Sequence, residues 1–411
     1  MFRRYLSRVG LTMVMKEWLR AYVPATPSAR TLMVVTITDA VGGGLYLSGS
    51  VIYFVDGIGL PAGSVGAALT VAGLAGFLAS VPLGMLGDRI GTKRLLIGLQ
   101  AWRALMLVAL SFVTGLPGFL LAAIGLTIAA RSVSPATQAV VAVVMSEKDR
   151  VTTMALMRSV RNVGYSVGAA LTIPIFAADN PSAYKLIMLG NAATFVLSVL
   201  LLLRLKVPSA VPLPAGRRRF PQGVRDWPFV RLAMVNGVLS LHMTMLSVGI
   251  PLWALASGAP TWTVSLLFIL NTVLTVLLQV ASARGSGHPG FGDRALRRSA
   301  VALVACCVIF AAASLGDQWV AVAALTAGAV ALTAGELLQS AGGWELSFRH
   351  SPADRRAEYL AAFNLGPAAI DIVGPVLLTA VVAYRSPGWL ALAAVFAVAG
   401  LLVRPAVRSL G

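Results

Sequence analysis

Reactive and charged side chains are scarce in this chain. Its 411 residues hold two cysteines and three histidines, and Asp and Glu together number 15 against 33 Lys and Arg. Cys306 and Cys307 are adjacent, so they offer neither a disulfide framework nor metal-ligand spacing and read as apolar filler. Scattered histidines and the lack of a nucleophile motif leave little for an enzyme to use, and neither a cofactor nor a metal is expected. Charged residues make up 12% of the chain, about half the share usual in soluble proteins. By contrast 58% of residues are hydrophobic and mean hydropathy is +0.83. That is the composition of an integral membrane protein.

Runs long enough to cross a hydrocarbon core of roughly 30 Å, each needing about 20 residues, are predicted at 31–55, 63–86, 93–114, 117–145, 152–177, 184–204, 228–256, 261–283, 297–315, 318–347, 357–384 and 387–404. Each should be helical, because only helices and closed barrels satisfy their backbone in lipid and these runs are too long for barrel strands. An internal repeat organises them. Gly84 to Arg94 is a charged turn between apolar runs, and its core returns 205 residues later as Gly292-Asp293-Arg294. The same offset carries Ser146, Asp149 and Arg150 onto Ser351, Asp354 and Arg355. A duplicated helical half is a transporter architecture with its substrate site near the midplane. The expectation is an all-α membrane protein of twelve helices in two pseudo-symmetric six-helix bundles, residues 31–204 and 228–404, joined by a basic linker at 205–227 and ending in a short tail at 405–411.

Charge placement sets orientation. Of the 33 Lys and Arg, 29 fall at the termini and in the loops that follow even-numbered spans; Lys185 and Arg385 lie on the other side, and Arg103 and Arg131 lie within spans. The positive-inside rule then puts both termini in the cytoplasm. The net charge of +18 is thus a topology signal, and no soluble segment is large enough for the folded basic surface that a nucleic-acid partner would need. Residues 1–30 space Arg3, Arg4, Arg8, Lys16 and Arg20 among apolar residues, which reads as an amphipathic helix on the cytoplasmic face. Arg217, Arg218 and Arg219 place the linker near anionic headgroups. Only five of the 33 basic residues are Lys, a bias common in GC-rich bacteria, so a bacterial inner membrane is expected.

Polar residues at helical spacing mark the spans that line water. Span one offers Thr36, Asp39, Gly43, Tyr46 and Ser50; span four Thr127, Arg131, Ser134 and Gln138; span seven Asn236, Ser240, Thr244 and Ser247; span eight Asn271, Thr275 and Gln279; span ten Glu336, Ser340 and Trp344. One stripe alone suits helix-to-helix hydrogen bonding. Stripes at repeat-related positions favour a shared cavity. Ionisable residues deep in lipid are costly and so functional candidates: Asp39, Arg131, Glu336 and Asp371. Arg131 and Glu336 are 205 apart and therefore at equivalent depth, facing each other across the cavity in the simplest arrangement. Glu336 and Asp39 are candidates for proton coupling or for meeting a cationic substrate. The competing reading is a static Arg131–carboxylate pair. Asp371 suits either a secondary coupling site or packing beside a Gly-Pro kink. His242 falls off the stripe of span seven and reads as structural, and Arg103 as the partner of a neighbouring helix. Asp88 can dock on the positive N-terminus of a helix from the other half, as a conformational latch, or simply cap a turn.

The turn at 84–96 resembles the signature of the major facilitator superfamily through Gly84, Leu86, Asp88, Arg89, Gly91, Lys93 and Leu96, with a degenerate second copy around Asp293. Arg131 is similar to the arginine of the fourth-helix motif of proton-linked members, although Ser134-Pro135 stands where a glycine follows in that motif. Gly164 to Gly168 resembles part of the antiporter motif, whose Gly-Pro pair is missing there but occurs as Gly366-Pro367 and Gly374-Pro375. Ala334-Gly335-Glu336 resembles the tenth-helix pattern of bacterial multidrug exporters. The resemblance implies alternating access by a monomer, proton-coupled, exporting lipophilic or cationic small molecules. Uptake of a metabolite, with Arg103 and Arg131 binding an anion, or lipid flipping through the central cavity, are the alternatives.

Overall fold

The computed structural model describes residues 26–54, 58–177, 184–207, 221–260 and 262–410. Most of the expected amphipathic segment at 1–30, and Arg217–Arg219 of the linker, lie outside the described residues. Among the described residues twelve helical spans follow one another: α1 Pro27–Ile52, α2 Ala62–Ile90, α3 Thr92–Ser111, α4 Leu116–Val144, α5 Glu147–Ala177, α6 Lys185–Arg204, α7 (below), α8 Trp262–Ser282, α9 Phe291–Ala312, α10 Gln318–Arg349, α11 Arg356–Ala383 and α12 Arg385–Arg408. Eleven are apolar and long enough to cross a membrane; α5 is 31 residues long but carries Glu147 to Arg150, Arg158 and Arg161. The outer surface is apolar, with Leu47, Leu121, Val301 and Leu401 each at least 70% exposed, a surface that only lipid tolerates on this scale.

Span α7 is broken into Trp227–Leu239, His242–Thr244, the π-helical turn Met245–Gly249 and Ile250–Ala256. Pro251 has no N–H to give, so regular pairing fails one turn upstream, and Ile250 donates instead to Met245, five residues back. The break leaves His242 buried rather than continuing a regular face.

Each packing partnership of the first half returns in the second. Helix α1 packs on α5 and α6, α2 on α4, and α3 on α4 and α6; correspondingly α7 packs on α11 and α12, α8 on α10, and α9 on α10 and α12. Small residues permit the closest crossings: a Cβ on Gly44 or Gly168 would strike the backbone of the facing helix in the α1–α5 pair, as would one on Gly237 or Gly366 in the α7–α11 pair.

The two halves meet through α2 on α11, α4 on α11, α5 on α8 and α5 on α10. On the face that carries residues 26 and 410, here the terminal face, one apolar cluster joins Leu95, Met145 and Met154 of the first half to Val280, Ala283, Phe348 and Leu360 of the second. On the opposite, far face, the cluster around Tyr53, Phe54 and Phe119 contains first-half residues alone. The described halves are therefore sealed together at the terminal face.

Candidate substrate and coupling site

Four helices of the first half enclose a cavity of about 280 Å³. Helix α5 gives it Met154, Met157, Arg158, Arg161 and Tyr165, at intervals of one to four residues that keep them on one face. Leu32, Val35, Thr36 and Asp39 come from α1, Leu96, Gln100 and Arg103 from α3, and Ala130, Val133, Ser134 and Thr137 from α4. The walls are thus mixed, with polar and charged side chains about as numerous as apolar ones and converging on one space.

Two ion pairs stand on this space, through Asp39, Arg103 and Arg158, and a third joins the halves outside its lining. Asp39 accepts from Arg103 at 2.8 Å and from Gln100 at 3.1 Å, while Arg103 also donates to Gln100 Oε1 at 2.7 Å. The Arg103 guanidinium lies over the Phe195 ring, 3.8 Å from its centroid, an attraction that helps hold the cation in an apolar setting. Arg131 of α4 donates to Asp371 of α11 at 3.1 Å, and that pair is open, with side chains 36% and 42% exposed. Arg158 of α5 pairs with Glu336 of α10 and donates to Ser340, and here the side chains are only 12% and 8% exposed. Arg158 lies 11 residues beyond the start of α5, about 16 Å along the helix axis.

Glu336 sits in a wider network. Asn271 of α8 donates to its other oxygen at 2.8 Å and to Thr333 at 3.0 Å, and the Ser340 hydroxyl donates to the Glu336 carbonyl at 2.8 Å. One turn away Gln339 donates to Asn236 at 2.9 Å, and its carbonyl oxygen lies 3.3 Å from His242 Nε2. Asn271 of α8 thus holds the carboxylate directly, residues of α7 and α10 extend the network around it, and α5 supplies the countercharge from the opposite half.

Several expectations are corrected by this geometry. Arg131 does not face Glu336: equal depth on α4 and α10 does not bring them together, because α4 packs on α11 and α10 on α5. Arg158, counted from sequence with the basic residues at a cytoplasmic helix end, is the partner that Glu336 meets. Of the residues expected to line the cavity, Thr36 and Ser134 do so, along with Asp39. Gln138 is buried beside Ser134, while Asn236, Asn271 and Ser340 are in the Glu336 network. Tyr46 packs against Phe54, Thr127 underlies the α2–α4 crossing at Gly76, Thr244 lies against Gly374, Ser240 bonds its own helix at Gly237, Gln279 is wholly buried, and Trp344 packs on the terminal-face cluster.

At the terminal face Asp88 accepts from the backbone N–H groups of Ala357 and Glu358, both at 2.9 Å. These are first-turn donors of α11 without intrahelical partners, and the helix dipole adds to the attraction. Gly84 makes this approach feasible: a Cβ there would lie 2.7 Å from the Ala357 carbonyl and 2.9 Å from Ala361 Cβ. Gly91, at φ 95°, turns the chain between α2 and α3. Lys93 instead serves its own half, donating to the Leu203 and Leu205 carbonyls, and Arg89 points outward. The repeat-related Asp293 does not copy the Asp88 contact; it lies 3.9 Å from Arg404 within the second half.

A multi-pass helical membrane protein, made of two like halves around a charged interior site, is by its architecture a transporter rather than an enzyme. The profile of the Major Facilitator Superfamily matches residues 32–375, and the chain belongs to that family. Its substrate is accordingly a small molecule. No curated protein sequence matches the chain. Solved structures of the same fold include a bacterial homologue of the iron transporter ferroportin in an outward-facing state, 16% identical, covering 94% of this chain and 99% of that one with a TM-score of 0.72. The transporter FucP in its outward conformation is 16% identical, with coverage of 94% and 99% and a TM-score of 0.68. The human organic anion transporter MFSD10 (TETRAN) is 17% identical, with coverage of 94% and 100% and a TM-score of 0.64. At such identities the likeness is one of fold.

Proposed function

We propose that the chain is a proton-coupled exporter of lipophilic small molecules, acting as a monomer by alternating access in a bacterial cytoplasmic membrane with both termini in the cytoplasm. The observation that carries this reading is the buried Arg158–Glu336 pair, which ties one half to the other beside the cavity. With the terminal face cytoplasmic, the described arrangement is sealed inward. Protonation of Glu336 from the outside removes the countercharge of Arg158 and weakens the tie, so the terminal face can part and admit cargo. Loss of the proton to the cytoplasm restores the pair and returns the site outward. Asp39, held by Arg103 on the cavity wall, is a second carboxylate that a proton can reach, although its pair lies within the first half and does not tie the halves together.

Sequence reasoning allowed a cationic cargo, but each carboxylate at or beside the cavity already holds a guanidinium, and nothing in the walls favours a cation over a neutral lipophile. The test is transport of lipophilic dyes into inside-out proteoliposomes under an imposed pH gradient. Wild-type accumulation should follow the gradient, and Glu336→Gln, assayed in the fraction that remains folded, should abolish that dependence. Accumulation indifferent to the gradient would refute coupling, and full gradient dependence in both Asp39→Asn and Glu336→Gln would remove the site assignment.

A further inference from the structure

Three guanidiniums line the cavity, those of Arg103, Arg158 and Arg161. Asp39 answers the first and Glu336, from the opposite half, the second. Among the described residues Arg161 makes no hydrogen bond or ion pair, so the cavity keeps one positive charge in surplus. Arginine stays protonated whatever its surroundings, and a charge at this depth in a membrane protein is costly unless something pairs with it. Arg161 follows Arg158 by three residues and shares its helix face, which makes the lack of a counterion more costly still. Tyr165, one turn further, and Thr36, Ser134 and Thr137 on the facing helices supply hydroxyl groups to the same space. Leu96, Val133, Met154 and Met157 supply apolar wall.

We propose that Arg161 is the recognition site for an anionic group of the cargo, and that the transported class is amphiphilic organic acids, a carboxylate or phosphonate head on an apolar body. The proposal rests on the transporter reading above and narrows its substrate. The head completes the charge balance that the protein leaves open, through charge-assisted hydrogen bonds of the kind arginine makes with carboxylates, and the apolar body lies on the Met and Leu walls. Arg103 and Arg131, the arginines first considered for an anion, are each occupied by a carboxylate of the protein.

The experiment uses the purified full chain in detergent with probes that share a naphthyl body: naphthoate, naphthylphosphonate, naphthamide and naphthylmethylammonium. The two anions should raise the melting temperature and bind, while the amide and the ammonium should bind at least about tenfold more weakly, the scale of one charge-assisted contact. Arg161→Gln should weaken anion binding by about tenfold or more, Arg161→Lys should retain part of it, and Arg161→Glu should reverse the preference toward the ammonium probe. Without ligand, Arg161→Gln should melt no lower than wild type, since it removes an unpaired cation; a lower melting temperature would reveal a structural partner and overturn the proposal. Equal binding of amide and carboxylate, anion affinity unchanged in Arg161→Gln, or no binding of either anion would also overturn it. Gradient-driven transport of a neutral dye unaffected by Arg161→Gln, together with any of those results, leaves the transporter standing and removes only its anion specificity. Anion binding that depends on Arg161 without gradient-driven transport of any probe would instead refute the coupling.

Discussion

Replacing Asp88 by Asn changes one atom and tests whether the terminal-face contact sets the conformational balance. In the described arrangement both carboxylate oxygens accept a backbone N–H of α11 at 2.9 Å. Asparagine keeps one acceptor but turns an NH2 group toward the second donor, so one charge-assisted bond is lost and the other becomes neutral. A hydrogen bond to a charged group contributes about 1.5–3 kcal/mol, and the helix-terminus attraction adds roughly 0.3–1 kcal/mol at exposed sites. Asp88 is only partly buried, so screening argues for the low end, about 1.5 kcal/mol in all. If the contact exists only when the terminal face is sealed, the ratio of open to sealed molecules rises about tenfold. Spin labels on Lys148→Cys and His288→Cys, exposed residues of opposite halves at the terminal face, report the change as growth of a long-distance population. A distance distribution in Asp88→Asn that superimposes on that of wild type would show that the contact is a turn cap without conformational weight.

Other outcomes follow from the same interface. Gly84→Leu should keep the terminal face from sealing, because its side chain would have to occupy backbone space at Ala357; normal transport in that variant would contradict the tight α2–α11 crossing. Gln279 is fully buried with neither amide atom hydrogen-bonded to protein, at a cost of about 1–3 kcal/mol per unpaired group, so Gln279→Leu should raise the melting temperature and slow turnover by favouring the sealed state; a lower melting temperature would point to a partner that the geometry does not show. Removing one member of the Arg158–Glu336 pair should destabilise by about 3–5 kcal/mol, and removing both by much less. Additive losses in the Arg158→Gln, Glu336→Gln cycle, measured by denaturation in detergent, would show that the two charges are not coupled.

The central arginine was hidden from sequence inspection by where α5 begins. With a span start at residue 152, Arg158 falls close enough to the helix end to extend its guanidinium to the headgroups; the helix starts at Glu147, and Arg158 turns across to Glu336 of the other half instead. A usable signal was present in the spacing of Met154, Met157, Arg158, Arg161 and Tyr165, which a helical projection puts on one face. The Arg131–Glu336 expectation failed for a different reason. A duplication fixes depth and helix number but not proximity, since symmetry-related side chains meet only near the axis that relates them. Here α4 and α10 each turn to a helix of the fifth or eleventh position, so the paired charges are Arg131 with Asp371 and Glu336 with Arg158.

The sequence by itself determined that the chain crosses a membrane, that it does so in two like halves, and roughly where each helix lies. These follow from hydropathy, which acts over about 20 residues, and from a repeat that is read along the chain. Only the tertiary structure decided which charges neutralise which, and hence that Arg161 is left without a counterion. Partner choice among buried ions is settled over a few ångströms across helices 64 to 240 residues apart, at distances where desolvation makes an unmatched charge costly, and no pattern along one helix encodes which helix will face it.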